Sequence, residues 1–220
     1  MRSYIKALIF DLDGTLANTV PAIAEAVNMT LESLSFPTRT EEEVKSFIGQ
    51  GPRHLITQAL PVEARLNDPT LVDKALSIYD RMYEKTYMHT DTLYEGIEEA
   101  IVFLSKYYKI AVLSNKQDAY VKALVKQLLP EGICEIARGS VAGVPAKPNP
   151  AIALSLVEEL DVSPSECILI GDSDVDILTA ANAGIDILSV SWGFVSKTKL
   201  LLKGAQDIIN SPYELIDYFR

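Results

Sequence analysis

The feature that most constrains this chain is its first clear strand signal. The apolar run Ala7 to Phe10 passes straight into Asp11, Leu12, Asp13, Gly14 and Thr15. A short uninterrupted apolar run closed by a turn signal predicts a strand buried on both faces, as in the parallel sheet of an α/β protein. Side chains alternate along a strand, so Asp11 and Asp13 project to one side if the extended conformation carries past Phe10. Gly14 then lets the chain turn away with no Cβ in its path. Two carboxylates held together in a pocket repel each other and need a cation, a proton or hydrogen-bond donors. The expected cation is a hard, oxygen-preferring one such as Mg²⁺. The plain alternative is a surface turn with both acids in water, and the pair by itself leaves both open.

After Leu16 the apolar period lengthens. Val20, Ile23, Ala24, Val27, Leu31 and Leu34 form one stripe of a helix that Pro37 ends. Thr40 followed by Glu43 reads as a capping box for a short helix through Phe47. The segment IGQGPRHL at 48–55 leads into a third helix ending near Leu60. A fourth is expected from about Asp68 to Met88, with Leu71, Ala75, Ile78, Tyr79 and Met82 inward. No strand is expected between 17 and 92. From Tyr94 onward helices and strands alternate, with strands expected at 109–113, 133–137, 167–170, 187–191 and a short edge at 207–209. Helices are expected near 96–106, 119–129, 150–160 and 175–183, and at the C-terminus.

That alternation predicts a doubly wound parallel sheet with helices on both faces. The expected architecture is a Rossmann-like α/β core, residues 1–16 and 93–220, with a helical cap at 17–92 inserted after the first strand. Ligands in such sheets bind beyond the carboxyl ends of the strands. Asp11, Ser114 and Asp172 each follow a strand end, so one crevice can gather them from distant parts of the chain.

With 30 acidic against 20 basic residues the chain carries a formal charge of −10. This opposes binding to nucleic acid or to an anionic membrane. A small phosphorylated substrate stays compatible, because a local cation and one lysine attract phosphate within an acidic protein. No apolar run approaches membrane-spanning length, and the first ten residues read as a strand rather than a signal peptide, so a cytoplasmic protein is expected. Cys134 and Cys167 are expected as core thiols. His54 and His89 lack partners at metal spacing. Trp192 and Phe194 are expected to pack under the last strand, and Asp174 with Ser173 to cap a helix.

Four stretches carry a resemblance: FDLDGTL at 10–16, LSNK at 113–116, AKPNP at 146–150 and IGDSDVD at 170–176. In this order they resemble the signatures of the haloacid dehalogenase-like hydrolases. NAGI at 182–185 and SWGF at 191–194 are similar to the phosphoglycolate phosphatase-like branch. The similarity covers almost the whole chain, though 17–92 matches by pattern rather than motif. It implies Mg²⁺-dependent hydrolysis of a small phosphate monoester, with Asp11 as nucleophile of an aspartyl-phosphate and Asp13 as acid and base. Ser114 would bind a phosphate oxygen, Asn115 would position substrate or nucleophile, and Lys147 would stand between Asp11 and the phosphate. The implied Mg²⁺ ligands are the Asp11 carboxylate, the main-chain carbonyl of Asp13 and the Asp172 carboxylate, with Asp176 beside them. Arg53, the single arginine of the 48–55 loop, is a candidate contact for a second anionic group of a small phosphorylated acid.

The expected partner is a small phosphorylated metabolite, and the expected assembly a monomer or homodimer. Two alternatives remain. One is a sugar phosphomutase of the same superfamily, where valine tends to replace Thr15. The other is a signalling receiver domain, which uses similar residues as a phospho-switch but has no helical insertion and takes its phosphate on a later strand. Asn18 stands where many relatives carry an acid.

Overall fold

A computed structural model of the chain describes residues 4–90 and 92–220. The side chains of His89 and Thr90 and the first three residues of the expected N-terminal strand lie outside what it describes. Two compact units are present: the chain up to Asn18 with Leu93–Arg220, and Thr19–Thr92. The core unit opens on strand β1 (Ala7–Phe10), buried at every position, and a two-residue strand β2 (Ala17–Asn18).

The second unit is helical: α1 (Val20–Ser33), α2 (Glu41–Phe47), α3 (Pro52–Ala59), α4 (Val62–Asn67) and α5 (Leu71–Thr90). Along α1 the stripe through Val20, Ile23, Val27 and Leu31 is buried, as its spacing predicts. Thr40 and Glu43 form the expected capping box at α2. The inward line of α5 is Leu71, Ala75, Tyr79, Tyr83 and Thr86, while Ile78 and Met82, expected inward, are only half-buried. Tyrosine is large enough to bury its ring and keep its hydroxyl within reach of a partner, which places Tyr79 and Tyr83 on the packed line, stacked with centroids 5.5 Å apart. The Thr86 hydroxyl donates to the Ala22 carbonyl at 3.1 Å and ties α5 to α1. Helix α4 went unforeseen because it buries no residue and so has no apolar period to read.

Strand β3 (Thr92–Leu93) pairs with β2, a ribbon too short to register as strand in sequence. The rest alternates: α6 (Ile97–Leu104), β4 (Lys109–Gln117), α7 (Asp118–Leu128), β5 (Cys134–Ser140), α8 (Ala151–Glu159), β6 (Cys167–Gly171), α9 (Asp174–Ala183), β7 (Asp186–Val190), α10 (Lys197–Leu202), β8 (Ile208–Ile209) and α11 (Glu214–Phe219), with a 3₁₀ turn at Pro164–Glu166. The sheet order is β5-β4-β1-β6-β7-β8, with every pair parallel. The fold is therefore α/β, with the doubly wound order in which strand direction of progress reverses at the first strand. Ala7 and Ile9 on one face of β1 join Leu113, Leu169, Ala153, Leu156 and Ala180 in the core formed with α8 and α9. Leu8 and Phe10, on the opposite face by alternation, are equally buried, which explains the unbroken apolar run.

Neither cysteine is in a disulfide, and burial pushes both thiols up to about 11. Among the described residues no helix is long and apolar enough to cross a membrane.

Candidate active site

Strands β1 and β6 end at one level, beside the point where β4 runs on into its irregular stretch. Phe10 of β1 lies opposite Val112 of β4 and Ile170 of β6, so the residues that follow emerge together at the carboxyl edge of the sheet. The ladder carries one residue further on β1, where the Asp11 N–H donates to the Ile170 carbonyl at 2.8 Å. Asp11, Asp172 and Asp176 thus meet, all buried, with carboxylate oxygens within 4.8 Å of one another.

Each carboxylate is held by identifiable groups. Asp172 accepts from the Thr15 hydroxyl at 3.2 Å on Oδ1 and from the Phe194 N–H at 2.6 Å on Oδ2. The surrounding backbone approaches so closely that a Cβ on Gly14 would lie 2.5 Å from Asp172 Oδ2, and one on Gly193 would lie 2.4 Å from it. Asp176 sits in the first turn of α9 in a capping box with Ser173, whose N–H donates to Asp176 Oδ2 at 3.1 Å. Ser173 is therefore the cap, and Asp174, expected to share that role, instead pairs with Lys203 at 3.1 Å on the surface.

Lys147 enters from the loop before α8. Its ammonium donates to Asp176 Oδ1 at 2.7 Å and to the Leu113 carbonyl at 3.1 Å, and it faces Asp11 Oδ1 at 3.0 Å as an ion pair that lacks hydrogen-bond alignment. Asn115 fixes the loop from below: its Oδ1 accepts from the Lys147 N–H at 2.8 Å and its Nδ2 donates to the Lys147 carbonyl at 2.9 Å. The Asn115 amide thus lies on protein main chain, where a contact to substrate or nucleophile was expected.

The electrostatics follow from this packing. Burial, opposed by Lys147 and reinforced by Asp176, Asp172 and Asp13, pushes the Asp11 carboxyl well above its ordinary range. Asp172 is raised to about 7, by burial first and then by the charge of Asp176. For Lys147 burial alone would favour the neutral amine, but the charges of Asp11 and Asp176 outweigh it and keep the ammonium protonated. Three buried acids against one buried lysine leave an excess of negative charge, with an all-oxygen donor set. Those residues fit a hard divalent cation.

Asp13 stands beside this cluster, outside the three-acid group. Its Oδ1 is 2.8 Å from Lys116 Nζ, and its Oδ2 accepts from the Ser114 hydroxyl at 3.3 Å. Both partners come from an irregularity in β4, which was expected to end at Leu113. Leu113 pairs with Arg138 and Gln117 with Ser140, so residues 114–116 stand against the single Gly139 of β5. A bulge of this kind re-aims side chains out of the pleat. It needs glycine opposite, since a Cβ on Gly139 would lie 2.5 Å from the Lys116 carbonyl oxygen.

Arg53 belongs to the helical unit, at the start of α3, where it forms an exposed ion pair with Asp73. His54 adds no metal group among the described residues. Sequence reasoning passed over four contributors. Lys116 was read only as part of a motif. Thr15 was read only as a family tendency. The loop at 191–194, expected to be packing, supplies the Phe194 N–H to Asp172 and the Trp192 indole N–H to the Thr15 carbonyl at 3.0 Å. Tyr94 is the fourth: burial, then the charges of Asp172 and Asp13, push its phenol upward. For Lys116 the one available signal was its place as the fourth residue of LSNK.

Comparison with known proteins agrees with this geometry. The family described as haloacid dehalogenase-like hydrolase matches residues 8–190. The phosphoglycolate phosphatase of Colwellia psychrerythraea is 31% identical over 86% of this chain and 85% of its own, and that of Vibrio vulnificus 30% over 97% and 95%. A crystal structure of a candidate phosphoglycolate phosphatase from Lactobacillus delbrueckii subsp. bulgaricus superposes with a TM-score of 0.89 at 30% identity, covering 97% of each chain. With the family spanning most of the chain and the acids gathered at the sheet's carboxyl edge, this protein belongs to the haloacid dehalogenase-like hydrolases, as a phosphatase similar to the phosphoglycolate phosphatases.

Proposed function

We propose that this enzyme hydrolyses a small phosphate monoester through an aspartyl-phosphate on Asp11, with Mg²⁺ as cofactor. A small phosphorylated acid of the phosphoglycolate kind is the substrate in this reading, since the similar proteins from Colwellia and Vibrio bear that name. One observation carries the proposal: a buried Lys147 lies against both Asp11 and Asp176 at the carboxyl edge of the sheet.

A carboxylate oxygen of Asp11 attacks phosphorus while the bond from phosphorus to the ester oxygen breaks. Asp13 gives its proton to the departing alkoxide, so a neutral alcohol leaves. In the second half Asp13 takes a proton from water, whose oxygen attacks phosphorus and breaks the bond to Asp11, releasing inorganic phosphate. Lys147 neutralises charge on Asp11 and on the phosphoryl oxygens, and the Ser114 hydroxyl turns from Asp13 to donate to one of them. Asp11, Asp172 and the main-chain carbonyl of Asp13 would hold Mg²⁺, with Asp176 beside them orienting Lys147 and bound water. When bound, the ion supplies positive charge to the equatorial oxygens. The helical unit acts as the cap that selects the substrate, with Arg53 as its candidate contact for a second anionic group.

Assay against a panel of small phosphate esters tests the reading. Release of inorganic phosphate with Mg²⁺ and loss of it in a chelator are expected, with a phosphoryl mass shift on the Asp11 peptide after acid quench. Absence of that adduct under single-turnover conditions would refute the covalent route.

A further inference from the structure

The contacts of Asp13 suggest an added part in the machinery. Its two carboxylate oxygens are taken separately, Oδ1 by Lys116 Nζ at 2.8 Å and Oδ2 by the Ser114 hydroxyl at 3.3 Å. The two donors stand on one turn, which is braced within itself because the Lys116 N–H donates to Ser114 Oγ at 3.1 Å. Both ends of the ion pair are shielded, with side-chain exposures of 7% for Lys116 and 11% for Asp13. A surface pair would be screened by solvent; this one is shielded, and the surrounding packing limits the geometries its long lysine stem can take. The bulge at residues 114–116, with Gly139 opposite, is what turns the lysine inward.

We propose that Lys116 is a positioning residue: it holds the Asp13 carboxyl in the orientation from which a proton reaches the departing oxygen. When the Ser114 hydroxyl turns from Oδ2 to the phosphate, the ammonium still holds Oδ1. The inference rests on the reading of Asp13 as the general acid, and it concerns orientation rather than ionisation. A general acid typically supplies a factor of about 10² to 10⁴, and misplacement forfeits part of it.

The test uses the leaving group. An alkyl ester needs a proton to depart, whereas a nitrophenyl ester leaves as a stable anion without one. For each enzyme kcat/KM, which reports the steps through alcohol departure, is measured with an alkyl phosphate and with p-nitrophenyl phosphate on the same preparation. The ratio of the two values cancels the fraction of folded protein, so it remains readable if a variant folds poorly. In Lys116→Met the alkyl ester is expected to lose about tenfold or more beyond the nitrophenyl ester. Lys116→Arg, which keeps a cationic donor, should recover part of that selectivity.

Equal losses on both esters would make Lys116 merely structural and overturn the inference. A loss confined to alkyl esters bearing a carboxylate, sparing neutral alkyl esters, would also overturn it by assigning the lysine to substrate charge. Asp13→Asn is measured in parallel. If Asp13→Asn shows the leaving-group selectivity and Lys116→Met does not, the inference about Lys116 fails alone; if Asp13→Asn shows none, the reading of Asp13 as acid fails with it.

Discussion

Lys147 donates to Asp176 Oδ1 at 2.7 Å with both side chains closed to solvent, at 2% and 0% exposure. The same ammonium faces Asp11 at 3.0 Å, so one cation balances two buried acids. Breaking a buried pair by removing one partner leaves a charge without compensation and typically costs about 3 to 5 kcal/mol. Lys147→Met is therefore expected to lower stability by that order at neutral pH, and by less near pH 5, because burial raises Asp11 and Asp172 and lets them take up protons there. Denaturant melts at the two pH values check this, and an equal loss at both would contradict the electrostatic account.

Asp11→Asn should abolish turnover, by at least about 10³-fold, while the protein stays folded. The amide is no competent nucleophile, yet it nearly matches the carboxylate in shape and removes one of the crowded negative charges. Without divalent cation its melting temperature near pH 8 should equal or exceed that of the unaltered protein. Phosphatase activity near the original level in a folded Asp11→Asn protein would remove Asp11 from the chemistry.

In the absence of metal the site carboxyls contribute to the pH dependence of stability with a definite sign. Asp172 titrates near 3.8 when unfolded and at about 7 in the fold, and Asp11 is raised as well. Between those limits these two groups bind more protons in the folded state than in the unfolded state, so their contribution to stability is full below about pH 4 and declines as pH rises towards 7. Added Mg²⁺ should recover the loss, most strongly above pH 7, by binding the folded state alone. Thermal melts across pH 4 to 8, with chelator or with Mg²⁺, would expose a wrong assignment as curves that coincide.

Gly193 is required by space rather than by an unusual backbone angle. An added Cβ would lie 2.2 Å from the Gly14 carbonyl oxygen and 2.4 Å from Asp172 Oδ2. Gly193→Ala should cost about 1 to 3 kcal/mol and raise the Mg²⁺ concentration needed for half-maximal activity, because the carboxylate of Asp172 is pushed from its place. Asp172→Ala should raise it further. A metal titration unchanged in both variants would take Asp172 out of the metal site.

Arg53 and Asp73 form an exposed pair, and such pairs are worth at most about 1 kcal/mol. Arg53→Ala should leave the melting temperature nearly unchanged. If Arg53 meets a second anionic group, kcat/KM should fall for an acidic substrate far more than for a neutral artificial ester. Equal effects on both would return Arg53 to the surface.

What the sequence alone determined is what neighbouring residues settle among themselves. The run from Ala7 to Phe10 had to be a doubly buried strand, Thr40 and Glu43 had to cap, and the α1 stripe had to face inward, because each depends on periods of two or three to four residues. The acids after the strand ends were visible for the same reason, and their family resemblance supplied an order. Only the tertiary structure decided which groups meet. Asp13 and Lys116 are 103 positions apart, and their contact needs the bulge that Gly139 permits two strands from β1. The Phe194 N–H on Asp172 is a backbone donor, which every residue but proline carries, so no side chain announces it. The burial that raises Asp172 and outlines the three-acid cluster is likewise a property of the assembled sheet edge, created when β1, β4 and β6 come into register.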